Sequence, residues 1–83
     1  MTDTAVQTNL EAVRAWKKKC PVVLWRTEHG ATQMELAALL GVTFRSVQNW
    51  EGGSIFPRDS MDEIGVATGI TEFTYREWWE AKP

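Results

Sequence analysis

Apolar side chains recur along most of the chain at intervals of three and four residues, which is the spacing of amphipathic helices. No stretch alternates apolar and polar residues as a half-buried strand does. The first predicted helix covers residues 8–19, and its apolar stripe consists of Val6, Leu10, Val13, Trp16 and Cys20. Helix starts are marked by a Ser or Thr followed three residues later by Glu, a pair that caps the first turn. This pattern begins at Thr8, Thr32, Ser60 and Thr74.

Glycine and proline residues supply the remaining helix boundaries. Pro21, which is tolerated best in a first turn, opens a second helix that Gly30 ends. Gly41 ends the third helix, and the pair Gly52 and Gly53 ends the fourth. The helices predicted after the first are residues 21–29, 32–40, 44–51, 60–68 and a short one from residue 74. We therefore expect an all-α fold of five to six short helices in a single domain spanning residues 1–83.

Composition narrows the class of protein. Of the 83 residues, 43% are hydrophobic and five are tryptophan, so a small core can form without disulfides or metals. Cys20 is the single cysteine, which excludes an intramolecular disulfide and argues against a zinc site. The polar first ten residues lack the pattern of a secretory signal, and no apolar run has membrane-spanning length. We expect a cytoplasmic protein with no membrane contact, no metal and no cofactor.

Charge is unevenly distributed along the chain. The net charge of −2 argues weakly against a nucleic-acid partner, because phosphates attract basic surfaces. Residues 1–58, however, contain seven basic and five acidic residues, whereas residues 59–83 carry a net negative charge. Three of the basic residues form the run Lys17, Lys18 and Lys19, which is either a solvated helix face or a set of phosphate contacts. Local potential matters more than the total, so a DNA partner stays open.

The most informative segment covers residues 32–53 and reads TQMELAALLGVTFRSVQNWEGG. Its two short helices are separated by Gly41 and Val42, which predicts the tight turn of a helix-turn-helix unit. Five apolar residues fall where the two helices must face each other and the core. They are Leu36, Ala37, Leu40, Val47 and Trp50. The outer face of the second helix is then left for the DNA major groove, whose width admits one helix.

That outer face carries side chains suited to reading bases, namely Thr43, Phe44, Arg45, Ser46, Gln48 and Asn49. Arg45 is able to bond a guanine edge through two hydrogen bonds, and Gln48 or Asn49 is able to do the same with adenine. Phe44 is suited to a thymine methyl group. For an isolated helix, a polar face that merely meets water would be the better interpretation. The preceding capped helix and glycine turn favour DNA binding.

The same segment resembles the lambda-repressor-like helix-turn-helix family of phage repressors and Cro-like regulators. The resemblance covers residues 21–71, and it is carried by Thr32-Gln33, Leu36-Ala37, Gly41, Ser46-Val47, Trp50-Glu51 and Gly53. It implies that Gln33 contacts a phosphate and braces the base-reading side chains Phe44, Arg45 and Asn49. It also implies a buried salt bridge between Arg26 and Glu51. Ser54 and Arg58, in the loop that follows, complete the expected DNA-binding set.

Two segments flank this expected family core. Residues 8–19 form an extra N-terminal helix, and residues 72–83 form a C-terminal aromatic helix. The C-terminal aromatic residues are expected to form a homodimer interface, because several aromatics on a terminal helix suit a subunit contact. They are Phe73, Tyr75, Trp78 and Trp79. On that basis, truncation after Thr71 is expected to preserve much of the fold.

These patterns predict a sequence-specific, DNA-binding transcriptional regulator of phage or bacterial origin that acts as a dimer. One alternative is an antitoxin that represses its own operon and masks a toxin with residues 59–83; an antirepressor is another possible protein partner. A second alternative is a helix-turn-helix used only for protein contacts, which the net negative charge supports. An enzyme is not expected, because the sequence offers no carboxylate pair, metal-ligand cluster or nucleophile with a basic partner.

Overall fold

The computed structural model describes the backbone of residues 2–83 and the side chains from residue 9 onward. Six α-helices account for most of these residues. In chain order they are α1 (Thr2–Lys18), α2 (Pro21–His29), α3 (Gln33–Leu40), α4 (Phe44–Gly52), α5 (Met61–Thr68) and α6 (Glu72–Glu80). A short 3-10 turn, Arg58–Ser60, precedes α5. No strand occurs within residues 2–83, and the expected all-α class is confirmed. None of the helices in this range combines the length and the apolar character needed to cross a membrane.

Local signals explain the boundaries of α2, α3 and α4. The Thr32 hydroxyl accepts a hydrogen bond from the Glu35 amide at 3.0 Å, and the Thr32 amide donates to the Glu35 carboxylate at 2.8 Å. These hydrogen bonds, led by the one from the Thr32 backbone, lower the pKa of Glu35. Gly30 and Gly41 end α2 and α3 with φ of 63° and 69°, a conformation that side chains with a β-carbon rarely adopt. The capping box and glycine stops predicted here are present.

Two other predicted starts, those at Thr8 and Thr74, are wrong, whereas the start at Ser60 is right in position but lacks its predicted cap. Helix α1 begins at Thr2 instead of Thr8, so the capping pattern at Thr8 falls inside a helix. The side chains of Val6 and Thr8 are not among those that the structure describes. Ser60 ends a 3-10 turn with ψ of 4°, and its hydroxyl caps nothing, because an N-cap residue is normally extended. Helix α6 begins at Glu72, since the extended residue is Thr71, whose hydroxyl accepts from the Thr74 amide at 3.1 Å.

The core combines the expected helix-turn-helix residues with both ends of the chain. Leu36, Ala37, Val47 and Trp50 are buried as predicted, and Leu40 packs against them at the core edge. Other buried apolar side chains among residues 9–83 include Trp16, Cys20, Val22, Met61, Ile64, Ile70, Tyr75 and Trp78. Helices α1 and α6 therefore contribute to the same core as α2–α5.

A reciprocal tryptophan pair joins the first helix to the last. The rings of Trp16 and Trp78 stack with centroids 4.1 Å apart and planes within 3°. Each indole N–H donates to the backbone carbonyl of the other residue at 2.7 Å. Buried indoles need such a partner, and here each tryptophan supplies it for the other. The pair fixes α1 against α6 through side chains that are 62 positions apart.

The dimer interface predicted for the C-terminal aromatics is wrong for Tyr75 and Trp78. Both are buried, and the Tyr75 hydroxyl donates to the Trp50 carbonyl at 2.7 Å. Trp79 is partly buried and packs edge-on against Phe56 at 5.4 Å. Tyr75 and Trp78 thus cover apolar surface within their own chain. Phe73, with 74% of its surface exposed, is the most exposed of the four.

Candidate nucleic-acid interface

The connection between α3 and α4 is a turn of three residues. The Val42 amide donates to the Ala37 carbonyl at 3.0 Å, which closes the end of α3 around Gly41. The Thr43 hydroxyl then accepts from the Ser46 amide at 3.1 Å and lies 2.9 Å from the Ser46 hydroxyl. These hydrogen bonds start α4 immediately after the turn. The two helices consequently form one unit, with Thr43 serving as a cap at the entrance of α4.

Helix α4 has a buried side and an exposed side. Val47, Trp50 and Glu51 are buried against the rest of the domain. Arg45 and Gln48 are exposed, and Phe44 keeps 42% of its surface in solvent. Ser46 and Asn49 are half-buried along the edges of this face. The sequence-predicted residues of α4 thus lie around one outward surface that begins at its N-terminal turn; together with Thr43 they are called the reading face below.

The Arg26–Glu51 ion pair implied by the resemblance is present and ties α2 to α4. Arg26 Nε and Nη2 donate to the two oxygens of Glu51 at 2.6 and 2.8 Å, the parallel geometry that suits guanidinium and carboxylate. Arg26 Nη1 also donates to the Ala31 carbonyl at 3.0 Å. Hydrogen bonding to Glu51 raises the pKa of Arg26. The side chain of Arg26 is 18% exposed and that of Glu51 is 7% exposed, so this is a largely buried, structural ion pair.

Gln33 joins this network from the start of α3. Its Nε2 donates to Glu51 Oε1 at 2.9 Å, and the side chain is half-buried. A primary amide carries two hydrogens, so one remains to be donated outward. Gln33 is consequently held beside α4 by a charged acceptor. Its bond goes to buried Glu51 and not to Phe44, Arg45 or Asn49, the base-reading side chains that the resemblance expected it to brace.

The remaining predicted contacts lie after α4. The Ser54 amide donates to the Asn49 carbonyl at 3.0 Å, which keeps exposed Ser54 next to the end of the helix. Arg58 is exposed in the 3-10 turn, and no hydrogen bond or ion pair of the described residues joins its side chain to α4. The structure therefore brings Ser54 to the edge of the reading face and gives Arg58 no fixed relation to it.

Gly53 has a function that the sequence did not reveal. It is buried with φ of 73°, and a β-carbon there would collide with the ring of Trp16. Lys82 Nζ donates to the Gly53 carbonyl at 2.7 Å and lies above the Trp79 ring, 4.3 Å from its centroid. The first and last helices thus converge on the end of α4. A Gly-Gly pair after a helix predicts a stop, but it does not predict which ring packs on it.

Neither family models, nor curated proteins, nor solved structures match this chain. Among residues 2–83 no group of three or more His, Cys, Asp or Glu side chains is placed to hold a metal ion. The reading face combines exposed polar side chains with the partly exposed ring of Phe44.

Proposed function

We propose that the protein binds double-stranded DNA in a sequence-specific manner and regulates transcription, with α4 lying in the major groove. The observation that carries the proposal is the two-sided character of α4. Its inner side is fixed by Val47, Trp50 and Glu51, while its outer side presents Arg45 and Gln48. A helix held rigidly on one side and polar on the other is the element that the major groove admits.

The chemistry of the reading face fits base edges. Arg45 is exposed, and neither of the two ion pairs of the described residues engages it. Its guanidinium is therefore available for the O6 and N7 acceptors of guanine without breaking an internal contact. Gln48 offers one donor and one acceptor, the pattern that adenine N7 and N6 require. Phe44 presents apolar surface for a thymine methyl group.

Gln33 supports the same orientation. Its second amide hydrogen is able to bond a phosphate beside the groove while Glu51 holds the first. A phosphate contact of this kind fixes the register of the protein without reading sequence. We infer that Gln33 positions α4 and that the exposed α4 side chains supply specificity.

The test begins by selecting preferred duplexes from randomised DNA with the full-length chain. Binding of Arg45→Ala is then measured by fluorescence anisotropy on the selected duplex and on random duplexes. We expect a loss of ~1–3 kcal/mol on the selected duplex and relaxed preference at one base pair. Arg76→Ala is the matched control, since Arg76 lies on α6 and pairs with Glu72 at 3.1 Å. It should bind like the wild type.

Two results would contradict the proposal. Selection that enriches no sequence would remove sequence-specific binding altogether. Equal losses for Arg45→Ala on selected and random DNA would make Arg45 a phosphate contact instead of a base contact. Gln33→Ala should show that second pattern, with a similar loss on both duplexes.

A homodimer on DNA is the second part of the proposal. One helix reads only a few base pairs, and two-fold dimers of this class place their half-sites ~34 Å apart. Selected duplexes should therefore contain inverted half-sites about ten base pairs apart, centre to centre. A single unrepeated site would show that one copy suffices. Since Tyr75 and Trp78 are buried, the subunit contact must use exposed residues, and Phe73 is the exposed one of the four aromatics expected there.

A further inference from the structure

We propose that the last turn of α1 forms a second DNA contact, in which Lys17 and Lys18 bind backbone phosphates beside the groove that α4 enters. This inference rests on the proposed function. Its starting observation is a surface concavity between α1, α2, α3 and α4, called the lysine groove below. It is lined by Lys17, Lys18, Val23, Arg26, Gln33, Gln48, Glu51 and Gly52.

The lysine groove connects α1 to the reading face. Gln48 belongs to the exposed side of α4, and Gln33 is the residue proposed to bond a phosphate. Lys17 and Lys18 border the same concavity as these two glutamines. The extra helix therefore presents its lysines on the side of the molecule that would face DNA.

The charge balance of the lysine groove is positive, although the whole chain carries −2. Its four charged lining residues are Lys17, Lys18, Arg26 and Glu51. Arg26 neutralises Glu51 through two hydrogen bonds, and no other carboxylate lines the groove. Two lysine charges remain without a counter-charge in the groove. A flexible ammonium group on an exposed side chain is suited to a phosphate, which it binds as a point charge.

The position of the two lysines is set by buried contacts. Trp16, which immediately precedes them, stacks on Trp78 and covers Gly53 at the end of α4. The last turn of α1 is therefore held at a fixed place relative to α4. A lysine on a frayed helix end would have to be ordered on binding, whereas here the backbone is already in place.

Lys19 supplies an internal comparison. It is the third member of the lysine run, but it borders a different concavity together with Leu24 and Glu77. Lys19 does not line the lysine groove, and the concavity that it does line also contains the carboxylate-bearing residue Glu77. The structure assigns the phosphate contact to two of the three lysines, which the run itself does not distinguish.

The test measures affinity for the selected duplex as a function of salt concentration. Each phosphate contact contributes about 0.9 to the slope of log K against log salt, so two contacts contribute about 1.8. For the double variant Lys17→Gln/Lys18→Gln we expect the loss of affinity between 50 and 200 mM salt to be about 12-fold smaller than for the wild type. Lys19→Gln, the matched control, should keep the wild-type slope. Base preference should be the same in all three proteins.

The outcomes separate this inference from the proposed function. If the wild type selects a sequence but the double variant keeps the wild-type slope, the phosphate contact is refuted and the function of α4 stands. An equal change in Lys19→Gln would show a general charge effect and would also overturn the assignment. A changed base preference in the double variant would place the lysines on base edges. If the wild type selects no sequence, it is the proposed function that fails. Circular dichroism melts verify that each variant remains folded.

Discussion

The burial of Trp78 makes α6 a part of the folding unit, and this has a measurable consequence. Trp78→Ala removes one member of the stacked pair and the indole N–H that donates to the Trp16 carbonyl. Replacement of a buried Trp or Phe by Ala costs ~3–5 kcal/mol. At ~0.05–0.15 kcal/mol per residue, a domain of this size has a total stability of ~4–12 kcal/mol. The variant should therefore lose about a quarter of its stability or more.

Urea unfolding followed by far-ultraviolet circular dichroism measures this loss. With an m-value of ~1–3 kcal/mol/M, a loss of 3 kcal/mol lowers the midpoint by ~1–3 M. Phe73→Ala is the matched control, because Phe73 lies on the same helix and is 74% exposed. Its unfolding free energy should stay within ~0.5 kcal/mol of the wild type. If the two variants unfold at the same midpoint, α6 is not part of the core.

By the same reasoning, truncation after Thr71 should unfold the chain, contrary to the expectation from sequence.

Two further predictions concern buried ionisable groups. Glu51→Gln removes the counter-charge of the partly buried Arg26, so we expect the free energy of unfolding to fall by ~3 kcal/mol while base preference stays unchanged. A urea midpoint equal to that of the wild type would contradict this. Burial raises the pKa of the Cys20 thiol to about 11, so the folded chain retains a proton that the unfolded chain releases at lower pH. Stability should therefore fall above about pH 9 by up to ~1.4 kcal/mol per pH unit. Urea midpoints measured from pH 8 to 10 should fall less steeply in Cys20→Ala than in the wild type. Equal slopes would show that the Cys20 thiol does not cause the alkaline loss of stability. Burial also raises the pKa of Tyr75, so some alkaline loss should remain in that variant.

The boundaries of α2, α3 and α4 could be predicted because their signals are local. A capping box spans four residues, and a left-handed glycine acts within one turn. The outward position of Arg45 and Gln48 also follows from helical periodicity once Val47 and Trp50 are assigned to the core. Local periodicity thus fixes which side of a helix is polar.

The partner of an apolar side chain cannot be predicted in the same way. Trp78 lies on an amphipathic helix whether it packs on Trp16 of its own chain or on a second copy, so its pattern is the same in both cases. The two tryptophans are 62 positions apart, and no spacing rule connects them. The Arg26–Glu51 pair spans 25 positions and was expected only through the resemblance. Interactions between distant positions depend on how the helices pack, which the sequence pattern leaves open.

Long-range packing also determines which residues contact the end of α4. At its start, α4 is positioned by the turn around Gly41 and the Thr43 cap. At its end, the backbone of Gly53 is covered by Trp16 and bonded by Lys82, one residue from each flanking segment. A side chain at Gly53 would separate Trp16 from α4, and it would move the lysines that follow Trp16. The segments before and after the helix-turn-helix unit are thus both packed against the end of α4 at this glycine.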